Sequence, residues 1–321
     1  MSVVRLAPLF GHLPEVADNL RIGGPLPPYR RVLAPATLWG ESGLVVDANN
    51  QPLVDAIWFE DQLGNCPDFR HAWRRFFPKN YAGTFFSVML YWCRGYYHWI
   101  CDVLPRVQAA LPQLPPDVRF VVPGDLSEAE SETLQSIGIQ PESCVAFRGK
   151  RPWRVERLVH VPPVAMTGDH TRESLHSLRE SVFRHVRSET AGKTSRRIYI
   201  ARSRGSERSV VNEAELLPVL RERGFEVVRC ESLSFADQVK LFRGAEIVVG
   251  PHGGGFANLV WCEPGTKVFE IFGTSSVRRC YWSICHALDL KHHCAVADEG
   301  VAGAIIVNPE RFRAALDVAL N

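Results

Sequence analysis

The chain has 321 residues, 46% of them hydrophobic and 22% charged, which excludes the charge-rich, apolar-poor composition of a disordered chain and leaves enough apolar surface for one or two cores. Its 37 basic and 35 acidic side chains leave a net charge of +2, so nothing points to a nucleic-acid partner, which would show as a clustered basic face. Nine cysteines without a CxxC pair spell neither a disulfide framework nor a zinc ribbon, and they read as the reduced thiols of a cytoplasmic protein.

Pro8, His12, Pro14, Glu15 and Asp18 interrupt any signal-peptide core, and no run approaches the ~18 apolar residues of a transmembrane helix. The expectation is a soluble chain, with shallow peripheral contact at a membrane surface left open. Residues 1–52 carry no assignment. A strand is expected over 56–59. The aromatic and β-branched run 84–92 reads as a buried strand, 93–97 as a glycine-containing break and 98–111 as a helix. Pro105 requires that this helix either start near Asp102 or kink. Then follow a strand over 119–122, a helix over 127–137 with Ser127 as N-cap, strands over 144–147 and 157–161, and a charged helix over 171–187. The polar stretch 188–195 reads as a connector, which divides the chain into domains 1–188 and 189–321.

In the second half, strands over 197–201, 226–230, 246–249 and 267–272 alternate with helices over 213–223, 235–243, 253–261 and 277–288. Short connections and this alternation predict an α/β fold with mainly parallel sheets covered on both faces. A last helix over 309–320 opens with Asn308 as N-cap and Pro309 in first position, and its return to the first domain is left open.

Three constellations carry chemistry. Gly250-Pro251-His252-Gly253-Gly254-Gly255 lies between a strand and a helix, where glycine lets a ligand approach the backbone and a helix start offers N–H groups to phosphate. The competing reading is a turn whose glycines only permit packing. The loop is neither GxGxxG nor GxxxxGK[ST]. It matches an HGGG oxyanion loop, but the nearest nucleophile elbow, Gly273-Thr274-Ser275-Ser276-Val277, lacks its last glycine. Arg202, Arg204 and Arg208 follow the strand 197–201, and they read equally as a phosphate grip or a solvated basic loop. His98 and Asp102, four residues apart, form a general-base pair if both are helical, whereas Asp102 is an N-cap if the helix starts there. His292-His293 at a strand edge read as structural. No Asp-x-Asp clamp occurs, and no metal site is expected.

Tyr199-Ile200-Ala201-Arg202 through Arg208 and Asn212-Glu213, Gly224-Phe225, Gly250-Pro251-His252-Gly253 through Asn258, Glu263-Pro264-Gly265 and Glu270-Ile271, together with His98, Asp102 and Leu104-Pro105-Arg106, resemble glycosyltransferase family 61. Ala201 stands where serine is common and Gly254 where alanine is frequent. The resemblance implies a GT-B architecture of two Rossmann-like domains facing across a cleft, and inverting, metal-independent transfer from a nucleoside-diphosphate sugar, UDP-linked, with no cofactor. On the donor side it implies Arg202 and Arg208 at the diphosphate and His252, Gly253, Gly254 and Gly255 at phosphate or sugar. Asn258 joins them, and Glu270 is a candidate for ribose hydroxyls with a structural role as the alternative. Asp102 is implied as base with His98 as orienter, the reverse being open. The soluble bacterial type is associated with surface polysaccharide such as capsule, which makes the acceptor a glycan or lipid-linked sugar. Trp92, Tyr96, Tyr97 and Trp99 read as acceptor-stacking or core aromatics. A non-catalytic phospho-ligand binder, a sugar-nucleotide epimerase and an HGGG hydrolase are the competing readings. Oligomeric state is not legible.

Overall fold

The computed structural model describes residues 30–40, 42–49, 52–53, 77–187, 195–203, 207–274, 277–300 and 303–320. The expected strand over 56–59, positions 188–194 of the connector, and Arg204 lie outside them. Described residues 30–167 with Glu173–His185 make one unit, and Gly168–Arg172 with residues 186–320 make the other.

The first unit is built on a sheet whose strands are β1 (Arg31–Leu33), β2 (Ala36–Trp39), β3 (Leu44–Val46), β4 (Lys79–Ser87), β5 (Arg119–Pro123), β6 (Cys144–Phe147) and β7 (Trp153–His160). Strands β7, β4, β5 and β6 lie side by side in parallel, and β1 and β2 add antiparallel to β7 with β3 beyond β2. The three N-terminal strands fall in the stretch without a sequence assignment. They are only three or four residues long, too short for alternation to be read. Phe85, Phe86, Val121, Val155 and Leu158 are buried in its core.

After β4 the chain turns and enters one continuous helical run. Tyr96–His98 is α-helical, Trp99–Val103 is a π-helix, and Leu104–Ala110 is α-helical again. Of the two alternatives read for Pro105, a helix start near Asp102 is not what forms. Proline has no N–H to give to the carbonyl four residues back. Just before it the ladder widens, so that Leu104 N–H reaches Trp99 O five residues back. The helix therefore starts at Tyr96 with Gly95 as N-cap, and Asp102 lies inside it rather than capping it. The next helix, Glu128–Ser136, carries the full capping box of Ser127 and Glu130.

The second unit is a five-stranded parallel sheet of β8 (Arg196–Ile200), β9 (Phe225–Val228), β10 (Ala245–Pro251), β11 (Lys267–Phe272) and β12 (Lys291–Val296), in the spatial order β12-β11-β10-β8-β9. This is a doubly wound arrangement, compatible with a Rossmann-like α/β fold. Helices Glu213–Glu222, Phe235–Arg243 and Cys280–Ala287 connect its strands. The predicted helix over 253–261 is a 3-10 helix, Gly254–Trp261, in which Asn258 Nδ2 takes the Gly255 carbonyl that Leu259 N–H would claim in an α-helix. A ribbon of β13 (Asp298–Glu299) and β14 (Ile305–Ile306) precedes the last helix, Pro309–Leu320, which Asn308 caps through Arg311 N–H. That helix packs on its own unit. Phe312 stacks on Phe269 of β11, and Leu316 and Ala319 join Leu216 and Leu220 in one cluster. Among the described residues no helix is long and apolar enough to cross a membrane, and the eight described cysteines are free thiols.

Arg106 sets the position of the helix after β4. Its buried guanidinium donates from Nε to Val161 O, just beyond β7, at 2.6 Å and from Nη1 to Ser87 O, the last residue of β4, at 2.8 Å, and it lies 4.8 Å from the Phe86 ring centroid. Arg106→Leu strands two buried carbonyls, each costing about 1–3 kcal/mol. Urea unfolding should show a loss of about 2–4 kcal/mol, and an unchanged midpoint would mean that water replaces both bonds.

Candidate functional site

In a parallel sheet of this order, ligands gather beyond the carboxyl ends of the two neighbouring strands at which the strand order reverses. In the second unit those strands are β8 and β10. Arg202 follows the end of β8 and His252-Gly253 the end of β10, so the fold brings the arginine loop and the glycine loop to one place.

The glycines there do different work. A Cβ on Gly250 would come within 2.8 Å of the Ile200 carbonyl oxygen, and one on Gly255 within 3.0 Å of Ile200 Cγ2, so both serve close packing of β10 and its 3-10 helix on β8. A Cβ on Gly253 would fall 1.6 Å from Arg202 Nη1. Gly253 is the position that makes room for the guanidinium, and Gly254 opens the 3-10 helix, whose first N–H groups have no carbonyl of their own helix to bond. Tyr281 Oη donates to Gly253 O at 2.7 Å and fixes the turn from the other side.

Arg202 Nη1 makes a long contact of 3.5 Å to His252 O, whereas Arg202 Nε and Arg208 Nε are buried with no hydrogen-bond partner among the described residues. Burial, and after it the charge of Arg208, lower the Arg202 pKa. Arg208 is also held at φ 62, a left-handed conformation for a non-glycine residue, with its N–H on Gly303 O at 2.9 Å. Two like charges with buried N–H groups lacking acceptors form a site complementary to an anion with several oxygens.

His252, Asn258 and Glu270 stand behind this site. Glu270 is fully buried, with one carboxylate oxygen hydrogen-bonded to His252 Nδ1 and the other to His292 Nε2 at 2.8 Å. Burial pushes its pKa up, but the bonds and charges of the two histidines prevail and hold it below the ordinary value. Each oxygen thus accepts a bond from within the fold, and Glu270 positions His252. The His252 ring is enclosed by Phe272 and Tyr281, and only its carbonyl faces Arg202. Asn258 spends its amide on Gln238 and Gly255 and its oxygen on Trp261. His292 enters the network because it lies on β12 two residues from Cys294, the register partner of Glu270. The adjacent histidines signalled alternation, but only the register shows which of them meets a carboxylate.

The first unit carries a separate cluster. His98 Nδ1 lies 2.7 Å from Asp102 Oδ2, in the helical i,i+4 relation, and Thr167 Oγ1 donates to the same oxygen at 2.8 Å. The Asp102 side chain is 3% exposed and that of His98 24%. With Nδ1 directed at the carboxylate, Nε2 is the ring nitrogen left for a substrate proton. Thr167 is 65 residues from Asp102 and belongs to no motif, so nothing in the sequence singled it out. Of the four aromatics, Trp99 is core, its indole N–H on Thr133 Oγ1, while Trp92 is exposed and its ring lies 5.1 Å from that of His98. Among the described residues no group of three histidine, cysteine, aspartate or glutamate side chains is arranged to hold a metal ion.

A family model described as Glycosyltransferase 61 matches residues 96–269, more than half of the chain, and takes in His98, Asp102, Thr167, Arg202, Arg208 and the glycine loop. No curated protein matches the sequence.

Because the folded Glu270 carboxyl titrates below its ordinary value of 4.5, its stabilisation is complete above that value and is lost as pH falls through the folded one. Glu270→Gln should cost about 3 kcal/mol or more at neutral pH. In paired thermal melts the gap to wild type should narrow once the pH drops below 4.5. A gap constant down to acid-induced unfolding would remove the charge from Glu270.

Proposed function

The chain belongs to glycosyltransferase family 61 and is a glycosyltransferase, and from that premise we propose that it transfers a sugar, with inversion and without a metal ion, from a nucleoside-diphosphate donor to a glycan hydroxyl. One observation carries the donor side of this reading. Arg202 and Arg208 keep buried, unpaired Nε–H groups at the reversal point of a parallel sheet, beside a glycine that leaves no room for a side chain. A diphosphate supplies the acceptors they lack, and two guanidinium groups neutralise the charge that develops as it leaves.

In this reading His98 is the base and Asp102 its orienter, the reverse of the assignment that the sequence favoured. The argument is exposure. Asp102 is buried beneath His98 and already accepts two hydrogen bonds, whereas the imidazole keeps a free edge. His98 Nε2 takes the acceptor hydroxyl proton as the oxygen bonds to the anomeric carbon. The bond from that carbon to the diphosphate breaks on the opposite face, and its electron pair stays with the leaving group. Inversion needs one base, and Asp102 with Thr167 fixes the tautomer that makes the imidazole one. A non-catalytic phospho-ligand binder would have no use for this oriented pair. The proposal extends to a GT-B enzyme, supported by the parallel sheet in each unit, to UDP as the nucleotide, and to surface polysaccharide as the product, supported by the sequence resemblance.

Thermal-shift titration with UDP in the presence of a chelator tests the donor side. UDP should stabilise wild type and His98→Ala, while Arg202→Ala, and Gly253→Ala through displacement of Arg202, should weaken binding by about tenfold or more, ~1.4 kcal/mol. Sugar transfer by His98→Ala should fall about 10²–10⁴-fold. If no nucleoside diphosphate stabilises wild type at millimolar concentration, the donor site is refuted; full transfer by His98→Ala refutes the base.

A further inference from the structure

Trp92 is out of place on conformational and solvation grounds alike. Its φ is 65, in the left-handed region where glycine or asparagine is the ordinary occupant, and the side chain is 42% exposed. Strain of this kind persists where the surroundings impose it, and it gathers at functional sites. Here the surroundings are a tight turn closed by Cys93 N–H on Leu90 O and Gly95 N–H on Trp92 O, at 3.0 and 2.8 Å, directly before the helix that carries His98. The left-handed residue lays the indole beside the His98 ring, 5.1 Å between centroids at 36°, with Tyr91 at 5.2 Å on the indole and Tyr97 edge-on to the imidazole at 5.0 Å.

We propose that Trp92 is the platform on which the acceptor sugar stacks, and that the acceptor group is a pyranose ring with an uninterrupted C–H face. This rests on the reading of His98 as base. The indole face is electron-rich, and the ring hydrogens along one face of a pyranose with equatorial hydroxyls are its apolar, weakly positive side. Stacking that face on Trp92 points the equatorial hydroxyls sideways, and the imidazole beside the indole is the group that such a hydroxyl meets. A serine or threonine hydroxyl on a peptide, or a lipid phosphate, offers no flat C–H face and gains nothing from an indole so placed. Trp92 is therefore a specificity-determining residue, distinct from the buried Trp99, whose N–H and both faces are spent in the core.

Saturation-transfer NMR with methyl β-D-glucopyranoside, methyl β-D-galactopyranoside and methyl β-D-xylopyranoside tests the platform without knowledge of the donor. Wild type should transfer saturation to the C–H protons of one ring face of at least one glycoside. Trp92→Gly should abolish that transfer and Trp92→Phe should weaken it. Glycine relieves the left-handed strain but gives up the ring contacts with Tyr91 and His98, so the fold of Trp92→Gly is checked by UDP binding, which should equal that of wild type. Equal saturation in Trp92→Gly or no glycoside binding to wild type would each overturn the platform. UDP binding, measured in the same samples, separates this failure from that of the transferase reading, which falls only if UDP fails to bind wild type.

Discussion

A carboxylate with no exposure to water must find its compensation within the protein, and in the second unit that constraint organises everything around it. Glu270, on β11 in the middle of the parallel sheet, is flanked by His252 at the end of β10 and His292 on β12. An ionised carboxylate in this position is tolerable only because both of its oxygens are hydrogen-bonded. The pairing pins the His252 ring against Phe272 and Tyr281, and with it the start of the turn whose next residue, Gly253, sits under Arg202. A buried charge thus helps to set where Arg202 meets the backbone.

Arginine plays opposite parts at comparable points of the two sheets. In the first unit the strand order reverses between β4 and β7, and Arg106 fills that point by donating to the carbonyls at the two strand ends. With its Nε and Nη1 bonded to these carbonyls, the residue is a clamp between the two strand ends. In the second unit the reversal lies between β8 and β10, and Arg202 and Arg208 bury Nε groups that no carbonyl among the described residues satisfies. Residue type and topological position are the same, and the difference lies in whether the protein provides the acceptor itself.

The helix after β4 shows how a proline can build a site. A regular α-helix through Pro105 would lose a hydrogen bond and clash with the preceding turn. The π segment absorbs the proline, letting the helix begin six residues before Asp102, at Tyr96, so that His98 is already helical and in register with the aspartate. Arg106, next to the proline, anchors the far end of the same segment. The signature Leu104-Pro105-Arg106 therefore shapes and anchors the backbone of the helix that carries His98 and Asp102.

Local chemistry in the sequence was sufficient for much of this. Alternation of apolar runs with capped helices located strands β4 to β11 and gave β6, β11, the helix Phe235–Arg243 and the last helix their observed ends, because caps, glycines and buried β-branched runs act over a few residues, while the short β13 and β14 carried no such signal. The i,i+4 spacing paired His98 with Asp102 for the same reason. Tertiary structure decided which candidates face outward. Asn258 and Glu270 lie in or near the glycine-loop block, yet their polar atoms are hydrogen-bonded inside the fold, while Thr167 and His292 reach the two clusters across 65 and 22 residues that no local signal bridges. Burial and hydrogen-bond partnership are properties of the packed chain. The sequence by itself determined which chemical groups are available and roughly where most strands lie; packing determined which of those groups are already satisfied and which, like the Nε of Arg202, lack an acceptor among the described residues.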